Sequence, residues 1–170
     1  MAIYCIDTSS LIAAWQERDP IEHFPNFWKR IDSLIDEERL FSPVEVLHEI
    51  KKRSDELHAW LKNRKHMFHE LSDEVQVEAA QVLGQFPRLV GERKLRTSAD
   101  PFVIALARVE GWQIVTDEKP TTSLTRPNIP DVCKELGMRT IDILQSLSSK
   151  NGFSAKQRGN PGTERNLYNF

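Results

Sequence analysis

The stretch AIYCIDTSSLI, residues 2–12, decides the fold. Ala2 to Ile6 is mostly apolar and β-prone with little alternation, the pattern of a central strand covered on both faces. Asp7 interrupts the run. Thr8, Ser9 and Ser10 then offer capping oxygens, and Leu11 to Trp15 continues as a short helix. A second helix–strand junction lies in SADPFVIALARVEGWQIVTDE, residues 98–118. Pro101 to Glu110 reads as a helix, Gly111 as its C-terminal cap, and Gln113 to Thr116 as a short strand. Helices feeding directly into buried strands are the mark of an α/β sheet.

Between these junctions the apolar spacing is helical. Phe27, Ile31, Leu34 and Ile35 follow Pro25 at helical intervals, after a turn at Asp19-Pro20. Arg39 to Phe41 reads as a second strand. Ser42 and Pro43 read as the N-cap and first position of a helix carrying Val44, Leu47 and Ile50. Arg53 to Arg64 is a polar helix with Leu57, Trp60 and Leu61. Another begins at Ser72, shows Ala79, Val82, Leu83 and Phe86, and ends near Pro87. Ile129 to Gly137 is a further helix, Met138 to Thr140 an edge strand, and Ile141 to Leu147 a last helix. From Ser148 the chain turns polar and Gly/Asn-rich. The expected organisation is one domain over residues 1–147 and a flexible tail over 148–170.

The 170 residues suit a single domain with its own core, and the formal net charge of −2 excludes a general attraction to polyanions. Nucleic-acid contact would need a local basic patch. Cys5 and Cys133 lack metal-binding spacing and read as reduced core thiols of a cytoplasmic protein. The N-terminus lacks a signal-peptide pattern, and no apolar stretch is long enough to span a bilayer, so no membrane association is expected.

Four acidic positions carry the functional question. Asp7 ends the first strand, and ligands of open α/β sheets bind beyond such strand ends. Glu49 lies within the helix of SPVEVLHEI, residues 42–50, where Glu45 competes with it. Asp100 precedes Pro101 at a helix start. Asp117 or Glu118 follows the strand QIVT. Each has a simpler role: Asp7 and Asp100 as helix caps, Glu49 as a solvated side chain, Asp117 and Glu118 in a solvated turn. Brought together at one sheet edge, carboxylates about 4 Å apart repel by roughly 4 kcal/mol per pair at intermediate dielectric. Such a cluster calls for raised pKa values or a bound cation.

In this order the four segments resemble the motifs of the PIN-domain family of metal-dependent ribonucleases (VapC-toxin-like ribonucleases). YCIDTSSLI is similar to the opening motif, SPVEVLHEI to the second, SADPFVIALA to the third, and QIVTDE to the fourth. The fourth departs from the family pattern, since Glu118 stands where an aspartate is usual and Asp117 is its neighbour. IPDVCKELGM, residues 129–138, resembles a bacterial PIN-like group outside the typical toxin nucleases.

The resemblance implies a three-layer α/β/α fold with a mainly parallel sheet. It implies hydrolysis of RNA phosphodiester bonds with Mg²⁺ or Mn²⁺ held by Asp7, Glu49, Asp100 and Asp117 or Glu118. Hard cations suit such oxygen donors. Ser9 and Thr116 would orient the carboxylates. The same family includes toxins with an antitoxin protein partner, and homodimers. The alternative is a catalytically weak or inactive PIN-like domain that binds RNA or protein.

Lys51, Lys52 and Arg53, and Arg93, Lys94 and Arg96, flank the proposed site in sequence and read as backbone-binding groups or solvated charge. His66 and His69 share one helix face on this reading but lack further zinc ligands. Trp15, Trp28, Trp60 and Trp112 read as core. A haloacid-dehalogenase-type phosphatase would need an acid where Ser9 stands. A scaffold whose acids serve only as caps and surface charge is the remaining rival.

Overall fold

Five short strands form one all-parallel sheet in the order β3-β2-β1-β4-β5. They are β1 (Tyr4–Ile6), β2 (Leu40–Pro43), β3 (Phe68–His69), β4 (Gln113–Val115) and β5 (Thr140–Ile141). The computed structural model describes residues 1–90 and 99–148. Tyr4, Cys5 and Ile6 stand opposite Gln113, Ile114 and Val115 on one side. On the other, Tyr4 and Cys5 stand opposite Leu40 and Phe41. β1 is thus the central strand, and all three of its residues are buried. That accounts for its unbroken apolar run.

Parallel neighbours need crossover connections, and helices supply them. They are α1 (Thr8–Ala13), α2 (Pro25–Asp36), α3 (Val44–Arg53), α4 (Asp55–Lys62), α5 (Asp73–Gln85), α6 (Asp100–Glu110), α7 (Ile129–Glu135) and α8 (Ile143–Ser148). α6 packs across β1, β2 and β4 with α5 against it, and α2 packs on β2 and α8. The Cys5 thiol points at the Val103 carbonyl of α6, 3.7 Å away, so Tyr4 and Ile6 face the other helical layer. The α/β class and three-layer arrangement expected from the sequence are present.

Several details differ. Ser42 does not cap α3; it belongs to β2, and its hydroxyl donates to the Ile6 carbonyl at 2.7 Å. Pro43 takes the capping position instead. β3 had no legible signal, because two residues carry no periodicity. His66 lies in a short 3₁₀ turn and His69 in β3, so they do not share a helix. α8 is described as far as Ser148, so helical structure reaches the stretch assigned to the tail. The rest of the tail lies outside the described residues. Among the described residues, no helix is long and apolar enough to cross a membrane.

α1 does not end in a turn. Ala14–Arg18 continues it as a π-helical segment, with the Asp19 amide donating to the Ala14 carbonyl at 2.9 Å. Trp28 of α2 donates its indole N–H to the Asp19 carbonyl at 2.6 Å. Trp15, Trp28 and Trp60 pack there with ring centroids 4.9–6.0 Å apart, joining the π segment, α2 and α4. These three pack against one another, in keeping with their reading as core residues.

Candidate functional site

Strand order reverses at the centre of the sheet, between β1 and β4, and ligands of open α/β sheets bind beyond the strand ends at such a point. Asp7 sits there, only 1% exposed. Its amide donates to the Val115 carbonyl at 3.1 Å, extending the β1–β4 ladder by one step. Its side chain caps α1, with Oδ1 accepting the Ser10 amide at 2.8 Å. Oδ2 accepts the Ser9 hydroxyl at 2.7 Å and the Thr116 hydroxyl at 2.6 Å. The cap is therefore Asp7 itself. Thr8 and Ser9, read as adequate substitutes, turn their hydroxyls elsewhere. Burial pushes the Asp7 pKa up, and the bonds from Ser10, Thr116 and Ser9 pull against that shift.

Glu49, 8% exposed, joins two parts of the site. Its Oε2 accepts the Thr8 hydroxyl at 2.7 Å, and its Oε1 accepts the Ala99 amide at 3.1 Å. Thr8 follows Asp7 and Ala99 precedes Asp100, so one carboxylate holds together the segments that carry the other two acids. Glu45, its competitor one turn earlier on α3, is not the acceptor of the Thr8 hydroxyl or the Ala99 amide. Burial raises its pKa first, with its own backbone N–H and His48 opposing and Glu70 adding to the rise. Its Oε2 is sheltered and has no hydrogen-bond partner among the described residues.

Asp100 is 5% exposed. It is the first residue of α6, Pro101 is the second, and Ala99 occupies the capping position without a side-chain bond. The expectation that Asp100 is the cap and Pro101 the first helical residue is thus shifted by one. The carboxylate belongs to the first helical turn, where the helix dipole favours its ionised form.

The fourth position divides into two roles. Asp117 pairs with Arg18 through both guanidinium nitrogens, Nη1 to Oδ1 at 3.1 Å and Nη2 to Oδ2. Glu118 stays with the strand end: its amide donates to the Thr116 hydroxyl at 3.2 Å, and its Oε2 accepts the Ile129 amide of α7 at 2.9 Å. Arg18 and Thr8 were missed as site residues. Neither carries a local signal, because both act on partners roughly 40 to 100 positions away.

A sequence profile described as a domain of unknown function, DUF4411, matches residues 4–152. The chain belongs to the DUF4411 family. No curated protein sequence matches it. The matched range contains all five acids and every strand, so the DUF4411 domain is the unit that carries the candidate site.

Hard divalent cations fit the donors of this DUF4411 chain. Asp7, Asp100 and Glu118 offer only oxygen, and an ion beside Asp7 would offset the burial that disfavours its charged form. Among the described residues, no three His, Cys, Asp or Glu side chains form a ready-made cage. Mg²⁺ does not need one, since it keeps several waters and takes one or two carboxylates plus substrate phosphate. The thiols are a different matter. Burial pushes Cys133 up to about 12, with Glu118 adding to it, and drives Cys5 higher still, with Asp7 and Cys133 contributing. Both stay protonated at neutral pH in the metal-free protein. Lys51, Lys52 and Arg53 are exposed on the last turn of α3, where they also complement the helix dipole. Arg93, Lys94 and Arg96 lie outside the described residues.

Proposed function

We propose that this DUF4411 chain is a PIN-like, metal-dependent endoribonuclease acting at Asp7, Asp100 and Glu118, with Glu49 holding the site together. The observation that carries this reading is the buried Asp7 carboxylate at the strand-order reversal, tied to β4 through Thr116 and linked through Thr8 and Glu49 to the residue preceding Asp100. A buried acid that accepts hydrogen bonds from α1 and from the end of β4 is poorly explained as surface charge. When bound, Mg²⁺ or Mn²⁺ would supply a water nucleophile of lowered pKa and charge stabilisation at phosphorus.

The protein's own part is positional. Asp7 and Asp100 would present oxygens from the ends of β1 and α6. Ser9 and Thr116 fix the orientation of Asp7 through Oδ2. Thr8 and Ala99 use both oxygens of Glu49, which favours a bracing role for that residue over a primary ligand role. The engagement of Glu118 with the start of α7 favours a second reading, a weakly active RNA- or protein-binding module.

Incubation of purified full-length protein with single-stranded RNA and Mn²⁺ separates the two. The nuclease reading expects cleavage by the wild type and at least about 100-fold less by Asp7→Asn, since losing a ligand should exceed the range for disturbing a ligand's support. Equal cleavage by both forms would place the site elsewhere. Binding of RNA without cleavage in Mg²⁺ or Mn²⁺ would favour the module.

A further inference from the structure

Arg18 reaches the site from outside all four sequence motifs. The residue after it, Asp19, is held at both its amide, which donates to the Ala14 carbonyl, and its carbonyl, which accepts the Trp28 indole N–H. Trp28 is itself buried between Trp15 and Trp60. π-helical segments inside α-helices recur at functional positions. Here the wider turn ends on an arginine whose planar fork meets both oxygens of Asp117. Such a pair fixes orientation as well as charge.

Asp117 lies between Thr116, which donates to Asp7, and Glu118, which reaches α7. Two adjacent acids beside a buried carboxylate would compete for one position. Arg18 removes the competition by neutralising one of them.

We propose that Arg18 is a positioning residue: its fork withdraws Asp117 from the metal-binding set and fixes the Thr116–Glu118 turn so that Glu118 serves as the fourth acid. The proposal rests on the metal-nuclease reading and assigns that reading's undecided position. A salt bridge serving only the surface would contribute little and leave the site unchanged on removal.

Mn²⁺ binding to the full chain, measured by titration calorimetry without RNA, tests this. The variants are Arg18→Gln, Arg18→Lys, Asp117→Asn, Glu118→Gln and the double Arg18→Gln/Asp117→Asn, each checked for folding by circular dichroism. Asp117→Asn and the double variant, which hold no competing acid, are expected to weaken Mn²⁺ binding by the same factor, about tenfold, and Arg18→Gln by at least as much. Equal single and double effects are the mark of two residues acting as one unit. Glu118→Gln is expected to bind more weakly than all three, and Arg18→Lys to recover part of the loss.

Tighter binding by Arg18→Gln, with Asp117→Asn as weak as Glu118→Gln, would make Asp117 a ligand and overturn the proposal. Unchanged binding by folded Arg18→Gln would also overturn it. Failure of the wild type to bind Mn²⁺ would instead remove the metal reading itself, and this proposal with it. If Arg18→Gln does not fold, Arg18→Lys and Asp117→Asn carry the same comparison.

Discussion

The Thr116 hydroxyl donates a 2.6 Å hydrogen bond to Oδ2 of Asp7 and accepts the amide of Glu118 at 3.2 Å. A single side chain thereby ties the end of β4 to the end of β1 and sets where Glu118 leaves the sheet. Thr116→Val keeps the shape and deletes the hydroxyl. It should destabilise the protein by about 1.5–3 kcal/mol at pH 7, the range for a hydrogen bond to a charged group. RNA cleavage should fall with it. Thr116→Ser should restore both. Urea unfolding and a cleavage assay on the three proteins check this.

The burial of Asp7 gives stability a pH dependence of definite sign. Its folded pKa is raised, chiefly by desolvation. Below the ordinary aspartate value, about 3.9, both states are protonated and nothing is lost. As pH rises through the raised folded value, metal-free protein loses about 1.4 kcal/mol for each unit between the two pKa values. Asp7→Asn keeps a good N-cap residue and has no charge to bury, and its NH₂ meets the Ser9 and Thr116 hydroxyls, which can rotate to accept, unlike the Ala99 amide at Glu49. In EDTA it should therefore melt above the wild type at pH 7, with the difference closing near pH 4. Thermal melts across that range decide; a wild type that melts higher at pH 7 contradicts the assignment.

Glu49 accepts from Thr8 and from Ala99 with separate oxygens. Glu49→Gln leaves one acceptor and turns an NH₂ toward a donor. The expected loss is about 1–3 kcal/mol, the penalty for one buried polar group left unsatisfied. Denaturant melts would show it. Native-state hydrogen exchange should also find the amide of Ala99 less protected.

Trp28 is buried and holds the π segment through its indole. Trp28→Ala should cost about 3–5 kcal/mol, as for other large buried aromatics. Trp112 lies on a different cluster, stacked on Phe41 at 4.8 Å and half-buried, so Trp112→Ala should cost less. Chemical denaturation of the two variants checks the order.

The helix–strand skeleton was legible because long periodic segments such as Pro25–Asp36 and Pro101–Glu110 announce themselves locally. Gly111, at φ 72°, also closes α6 as its position promised. Boundaries were less so. Ser42 and Asp100 look like caps by residue type, yet tertiary contacts draw Ser42 into a strand and move Asp100 inside its helix. Asp7 and Asp100 were readable as candidate acids from their place at element ends, and both are buried there. The choice of Glu49 over Glu45 was not, since only the fold brings Thr8 and Ala99 to the same carboxylate. The separation of Asp117 from Glu118 needed Arg18, which no local pattern marks.

The central claim is that Asp7, Asp100 and Glu118 present oxygens to one divalent ion. Anomalous diffraction from crystals grown with Mn²⁺ measures this directly. A metal peak is expected at ligand distance, about 2 Å, from oxygens of Asp7, Asp100 and Glu118, with Asp117 still on Arg18. A peak on Asp117 but not Glu118 would contradict the assignment of the fourth acid. Absence of any peak between Asp7 and Asp100 at saturating Mn²⁺ would contradict the metal centre itself.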